Sequence, residues 1–551
     1  MTKPHGCRRP CRDFGFGGQA RLHKGPARVA RPGNALAFWL GCALVSVGAA
    51  LHIPMYLMGR ATGYVLAGMP MDAGMIWGMV LIPVGVVLTG YGLLPRRPAQ
   101  PVRVLEQIAP PEDAPLSLAH WRVAGLLALA LVIDIMKPAT LGFVTPGMQQ
   151  EYGVGPDEVA WLPFAALIGT VAGSFIWGAL ADVYGRRASI LLSSVMFIGT
   201  SICGAMPDFW GNVLMCLLMG MAAGGMLPVA YALLAEIMPT RHRGWCLVLV
   251  GGIGAVGGYF AASASSALLQ PEFGWRILWF LNLPTGLILI ALSPLLPESA
   301  RFLQQMGRID EARAELARFG ARLVAAPTEP AAPEVEERPH LPPVDRSFLG
   351  ITTALTIAAV AWGLVNFGLL LWLPGALVAE GHSVALASSL IAQSTLVAAP
   401  VVAISAWIYS LWSTRGSLLV MLAAMTLGAL GLLLRELGSA VLANPVLPVT
   451  MLMVGACGVI SILLPYTAEC YPLRFRGRAT GWIAGCSKLG GLIAQGLTVA
   501  GAIPALGIAA LAISVPSAAS LALIALFGHE TRGRDLRELE RPAHASGTSR
   551  S

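Results

Sequence analysis

Charge is what this sequence lacks. Only 12% of its 551 residues are Asp, Glu, Lys or Arg, against about 25% in an ordinary soluble domain. Lysine is nearly absent, with four residues against 33 arginines, a bias that with abundant Ala and Gly fits a GC-rich bacterial genome. Length alone would suggest several soluble domains of ~150 residues. The missing charge excludes them, because 56% of the chain is hydrophobic and those residues fall in long runs. A net charge of +8 does not indicate nucleic acid, since the Arg and Lys sit in short links between apolar runs and not on a polar domain interleaved with aromatics. The nine cysteines mostly lie inside apolar runs, where a thiol behaves as a small hydrophobe. Cys7 and Cys11 are spaced C-x3-C with no second pair nearby, so neither a disulfide nor a metal site is expected. No phosphate-cradling nucleotide loop is present: Gly252, Gly254 and Gly257 form GxGxxG inside an apolar helix, where close helix packing is their use. No cofactor is expected, and no His/Asp/Glu constellation suited to an enzyme is found.

What is present is a series of apolar runs of about 20 residues, the length that crosses a bilayer as helix. Fourteen candidate spans cover 36–58, 73–95, 122–145, 158–181, 188–206, 210–236, 244–269, 275–296, 349–373, 384–410, 415–435, 445–468, 478–501 and 504–527. With residue 1 in the cytoplasm, all Arg and Lys except Arg60, Arg276, Arg435, Lys137 and Lys488 fall on the inner side or its edges. That is the asymmetry the positive-inside rule demands. An error of one helix would have inverted half of the pattern, so both termini are expected in the cytoplasm. The first run is longer than a signal-peptide core and no clear cleavage site follows, so it reads as an anchored helix. The expected divisions are a basic tail (1–35), an accessory helix pair (36–95), a cytoplasmic link (96–121) and six helices (122–296). A cytoplasmic helix and flexible linker (297–348), six more helices (349–527) and a tail (528–551) follow. In the linker region, ESARFLQQMGRIDEARAELARFG carries Glu–Arg pairs at helical spacing and reads as one surface helix.

The two six-helix halves repeat. AEIMPTRHRG at 235–244 recurs as AECYPLRFRG at 468–477, so that Glu236, Arg243 and Gly244 match Glu469, Arg476 and Gly477 at a constant offset of 233. Parallel six-helix repeats are a transporter architecture with the substrate between the halves. GALADVYGRR at 178–187, the paired Glu motifs, PESAR at 297–301 and HETRGRDL at 529–536 together resemble the major facilitator superfamily. The branch they are most similar to is that of sugar-porter-like and metabolite (aromatic acid):proton symporters, over residues 120 to 530. The resemblance implies an all-α polytopic membrane protein of two six-helix bundles, here preceded by two extra helices, fourteen in all. It implies secondary transport by alternating access in the bacterial inner membrane, with a small-molecule substrate and protons as partners, no nucleic acid, and a monomer as the working unit.

The charged motifs have their own chemistry. Asp182, Arg186 and Arg187 lie in a tight turn where two helices emerge on the inner side. With Glu236, Arg243, Glu298, Glu469 and Arg476 they could bridge the bundles and close a cytoplasmic gate. In the second half the turn reads IYSLWSTRGS at 408–417, where Ser413 takes the place of Asp and Ser417 that of Arg, so a weaker gate is expected there. Asp134 and Lys137 lie within the third span, where a charge costs ~2.5–3.5 kcal/mol unless it faces a partner or a cavity. Related aromatic-acid symporters carry Asp-Gly-x-Asp at this place; this chain has Asp134-Ile-Met-Lys137. Three residues apart on one helix face, the two are expected to neutralise each other until a substrate anion takes Lys137 and leaves Asp134 to accept a proton. Cavity-lining candidates are Tyr231, Trp362, Asn366, Gln393, Trp482 and Lys488. The expected function is proton-coupled symport of a small polar organic solute, an organic anion, with an exporter or a non-transporting solute sensor as the alternatives.

Overall fold

In the computed structural model of the protein, residues 34–93, 106–109, 116–320, 322–325, 346–439, 444–471, 473–502 and 505–532 are described. Among them, twelve helices are long and apolar enough to span a membrane. These are α1 (Ala35–Thr62), α2 (Ala73–Leu93), α3 (Leu118–Tyr152), α4 (Pro156–Tyr184), α5 (Arg186–Ala205), α6 (Phe209–Ile237) and α7 (Arg241–Phe273) in the first part of the chain. The second part holds α11 (Leu349–Ala379), α12 (Val384–Leu411), α13 (Thr414–Glu436), α14 (Val446–Cys470) and α16 (Leu506–Phe527). The other two expected spans are also helical. One is the shorter apolar α8 (Ile277–Ala291); the other is α15 (Leu473–Val499), whose Arg-rich start and Lys488 lower its mean hydropathy. The face bearing the 182–187 turn is termed the inner face, after the expected orientation.

Between the two halves, the single surface helix expected from the Glu–Arg spacing is two: α9 (Ala300–Gln305) and α10 (Ile309–Arg318). Gly307 causes the break by adopting φ 71°, a left-handed conformation that ends a helix without a Cβ penalty. Helix α10 keeps its i,i+3 pairs, among them Arg308–Glu311 at 2.6 Å. The link before α3 and the segment after α10 are not both plain linkers. Strand β1 (Glu106–Ala109) pairs antiparallel with β2 (Arg322–Ala325), so the chain entering the first bundle is hydrogen-bonded to the chain leaving it.

The accessory pair packs tightly because its contact positions are small. Gly41 and Gly48 of α1 face the backbone of Gly85 and Gly78 of α2, where a side chain would have no room. The pair then lies on α5 and α8, burying Phe38, Cys42, Val45 and Ala49 with Leu191, Val195, Ile198 and Ile290. Its outer loop is docked as well. Glu151, at the outer end of α3, accepts from the amides of Leu66 (2.7 Å) and Ala67 (3.0 Å). The same carboxylate pairs with the fully buried Arg276 at 2.6 Å, and Tyr56 donates to the Phe273 carbonyl at 2.7 Å.

The two bundles meet along α7, which lies against α12 and α14, while α3 meets α11 and α4 meets α15. Crossing contacts occur along the whole seam. Ser266 and Ser388 share a 2.8 Å hydrogen bond in its outer half, Gly252 abuts Val402 and Ser461, and Gly244 abuts Glu469 and Tyr409 at the inner end.

Candidate substrate site and inner-face cluster

Apolar helices carry few charged side chains along their middle turns, and Asp134 and Lys137 of α3 and Lys488 of α15 are among them. Asp134 is 6% exposed, and its Oδ1 is buried without a hydrogen-bond partner. Lys137 is 1% exposed, also without a hydrogen bond, and its Nζ sits 3.0 Å from the centroid of the Phe197 ring on α5. The expected ion pair between the two is therefore not formed. Spacing of i and i+3 puts the Cβ atoms on neighbouring faces, but the long lysine stem turns toward α5, where the aromatic face attracts its ammonium.

The second lysine comes from the other half. Lys488 of α15 is half-buried, 4.8 Å from the Phe367 centroid and 5.9 Å from that of Trp362. Those two rings meet edge to face at 5.7 Å. Trp362 donates to the Ala456 carbonyl at 2.8 Å, which fixes its indole. Residues 365–369 of α11 form a π-helical turn, a local widening common at functional sites. Gln495 donates to the carbonyl of Phe367 in that turn, and Tyr259 of α7 donates to Asn366 Oδ1 at 2.9 Å across the seam. The cations acting on Asp134 are Lys137 and Lys488.

At the inner face a second polar cluster fills the first half. Gly185 takes φ 96° to make the turn between α4 and α5. Glu298 caps the start of α5, accepting from the amides of Arg186 (2.8 Å), Arg187 (3.3 Å) and Ser299 (2.9 Å). Burial pushes its carboxyl up to about 7, against the pull of those amides and of Arg187. Arg186 pairs with Asp182 at 3.1 Å and with Glu236 at 3.7 Å. Ser299 donates to Glu236, and Arg187 to the Ser293 carbonyl at 3.1 Å. Asp182 itself is 76% exposed. Every one of these bonds stays within the first half. Arg243 is half-buried at the start of α7, and the side chain of Arg476 lies outside the described residues.

The second half repeats this framework with other side chains. Ser413 starts α13 as Gly185 starts α5; Thr414 presents its amide to Glu530 at 2.9 Å, as Arg186 does to Glu298. Arg415 donates to the Ala525 carbonyl, the counterpart of Arg187 on Ser293. Thr531 donates to Glu469 at 2.6 Å, the counterpart of Ser299 on Glu236, and Tyr409 adds a bond at 2.7 Å. Burial opposes ionisation of Glu530, but bonds from Ser413 and Thr414 hold its carboxyl below the usual range. The expected equivalences of Ser413 with Asp182 and of Ser417 with an Arg are thereby corrected. The turn aligns Ser413 with Gly185, so Ser410 occupies the place of Asp182 and Arg415 that of Arg187.

The Major Facilitator Superfamily model matches residues 126–495. The chain belongs to that superfamily. The niacin transporter NiaP of Acinetobacter baylyi is 24% identical over 446 residues, 78% of this chain and 98% of that protein. The 4-hydroxybenzoate transporter PcaK of Pseudomonas putida is 29% identical over 395 residues, 69% of this chain and 85% of that one. In fold the chain is similar to the xylose transporter XylE of E. coli in a partially occluded inward-open conformation, with a TM-score of 0.60 at 16% identity over 76% of this chain and all of that one. The protein is thus a multi-pass membrane transporter of the facilitator type.

Of the cavity candidates in this facilitator fold, Trp362, Asn366 and Lys488 come together at the centre. Tyr231 lies against Gly251 of α7. Gln393 and Trp482 do not join them. Gln393 is exposed on the stripe of α12 that carries Val397 and Ile404. Trp482 is 59% exposed in line with Leu489 and Ile493 on α15, where it donates to Thr356 at 3.0 Å. Both stripes are the apolar faces that spanning helices present to lipid. Sequence reasoning missed Tyr259, Phe367, Gln495, Tyr409 and the hydroxyl–carboxylate bonds. One signal was available: Glu298-Ser299 recurs as Glu530-Thr531 at an offset of 232.

Proposed function

We propose that this facilitator takes up a small organic anion, an aromatic carboxylate, together with protons. Its setting is the bacterial inner membrane, with both termini cytoplasmic and a single chain as the working unit. The observation that carries the reading is Asp134, a buried carboxyl on α3 with an oxygen left without a hydrogen bond. Such a group inside a span is expensive as an anion and inexpensive when protonated, which suits a proton carrier. Two relatives support the substrate class, because niacin and 4-hydroxybenzoate, the compounds in their names, are both aromatic rings bearing a carboxylate. Cotransport of that anion with a proton moves it as a neutral sum, so a pH gradient can drive accumulation.

Proteoliposomes test this directly. Wild type is expected to accumulate labelled 4-hydroxybenzoate or nicotinate in response to an inward pH step, and to exchange it in counterflow. Asp134→Asn is expected to keep counterflow and lose accumulation. Accumulation by Asp134→Asn equal to wild type would place the proton elsewhere. A wild-type protein that binds the solute without exchanging it would be a sensor.

A further inference from the structure

Four lysines occur in the chain, and only Lys137 and Lys488 lie within spanning helices. An ammonium in an apolar helix needs compensation. Each of these has an aromatic face, and neither has a hydrogen-bonded or ion-paired partner among the described residues. They differ in reach. Lys137 is enclosed in the first bundle, covered by the Phe197 ring. Lys488 is only half-buried, it belongs to the second bundle, and Asp134 of the first acts on it.

We infer that Lys488 receives the carboxylate of the transported anion, with the edge-to-face pair of Trp362 and Phe367 flanking the attached ring. The inference rests on the anion reading above and assigns its recognition to one residue. An ammonium supplies up to three donors to a carboxylate, and charge-assisted bonds of this kind are about twice as strong as neutral ones. A ring attached to that carboxylate then lies beside Trp362 and Phe367, whose positions are fixed by the Ala456 carbonyl and by Gln495 in the π-helical turn. Tyr259, bonded to Asn366 from across the seam, places the first bundle against the same turn. The site is thus shared: the cation and aromatic rings come from the second half, Asp134 and Tyr259 from the first. When the site is empty, the field of Asp134 and the face of Phe367 compensate the ammonium in place of the anion. The specificity follows: a neutral amide of the same shape keeps one acceptor but lacks the charge and turns an N–H toward the ammonium, so the acid is preferred over the amide.

Binding to the detergent-purified full chain tests the assignment, with labelled benzoate as probe and unlabelled benzoate or benzamide as competitors. Wild type is expected to prefer benzoate by roughly tenfold or more, a factor worth about 1.4 kcal/mol. In Lys488→Met the preference should fall to about one, while Lys137→Met should keep it. If Lys488→Met keeps the preference, or Lys137→Met alone loses it, the assignment to Lys488 is wrong while the anion reading stands. If wild type itself fails to distinguish acid from amide, the anion reading fails and the assignment with it. Should Lys488→Met not assemble, judged by gel filtration and thermal unfolding, Lys488→Gln carries the same expectation and the same refutation.

Discussion

Replacing Glu151 by Gln should loosen the outer end of the first bundle more than any single change at its surface. The carboxylate takes five donors on two oxygens. These are the Leu66 and Ala67 amides, Trp275 Nε1 at 2.8 Å, and Arg276 Nη2 and Nε at 2.6 and 3.3 Å. Glutamine has the same shape but one acceptor, so its NH2 must face N–H groups whichever way it is turned. Arg276, fully buried, loses its only counter-charge among the described residues and keeps Tyr152 and the carbonyls of Gly204 and Met206. Breaking a buried pair from one side costs about 3–5 kcal/mol; the retained carbonyls place this case toward the lower end. The apparent melting temperature of the detergent-solubilised protein should then fall by several degrees. The 59–72 loop, held by the same carboxylate, should become cleavable by protease at temperatures where wild type is resistant. Melting within a degree of wild type, with the loop still protected, would refute the view that this charge ties the accessory pair to the bundle.

Gly185→Ala places a Cβ at φ 96° and against Glu298 and Phe302; the backbone alone should cost about 1–3 kcal/mol, whereas Gly178→Ala, with nothing within 4 Å, should melt like wild type. Equal melting of the two variants would contradict the turn geometry. Glu298 gives a pH signature: with its folded carboxyl raised to about 7, the folded state holds a proton that the unfolded chain has lost. Stability should therefore decline as pH rises from about 4.5 to about 7, by about 3 kcal/mol at most, and level off above. Melting curves of Glu298→Gln across the same range should lack this component, and an unchanged slope would remove Glu298 as its source.

The bilayer makes the fold legible. A spanning helix must satisfy its backbone internally and be apolar for about 20 residues, so all fourteen helices could be read, including α15, which carries Lys488. Helix α8 is shorter than its apolar run because it ends at Ala291 and gives way to a 3-10 turn, Ser293–Leu295, that contains Pro294, a break that hydropathy does not register. Faces were harder to read than spans. A helix that is apolar toward lipid and toward its neighbours has no moment to orient it, and this is why Gln393 and Trp482 were placed inside. Lys137 illustrates a finer limit, since the spacing to Asp134 fixes Cβ positions while the ring that draws the ammonium away lies sixty residues on, in α5. The Glu151–Arg276 pair had left a trace, because Arg276 was one of three cations on the wrong side of the charge asymmetry. A guanidinium that topology does not place there needs a partner, and Glu151 at the outer end of α3 is that partner.

The inner-face repeat shows why residue-by-residue matching of the halves failed where backbone matching succeeds. Anchoring the second-half turn on the missing Asp shifts it by three residues, whereas anchoring it on the capped helix start aligns the bonds that recur. What is preserved is a carboxylate that collects helix-start amides, an arginine on a helix-end carbonyl, and a hydroxyl on the motif glutamate. What changes is the charge: Asp182 and Arg186 give way to Ser410 and Thr414, and Tyr409 supplies to Glu469 what Arg186 supplies to Glu236. Each of these bonds ties a half to itself. At this end Gly244 is one point of contact between the bundles, its missing side chain letting α7 approach Glu469 and Tyr409. A Cβ there would stand 2.9 Å from the Glu469 carboxylate, so the glycine of the repeated motif admits the other half and its glutamate steadies its own.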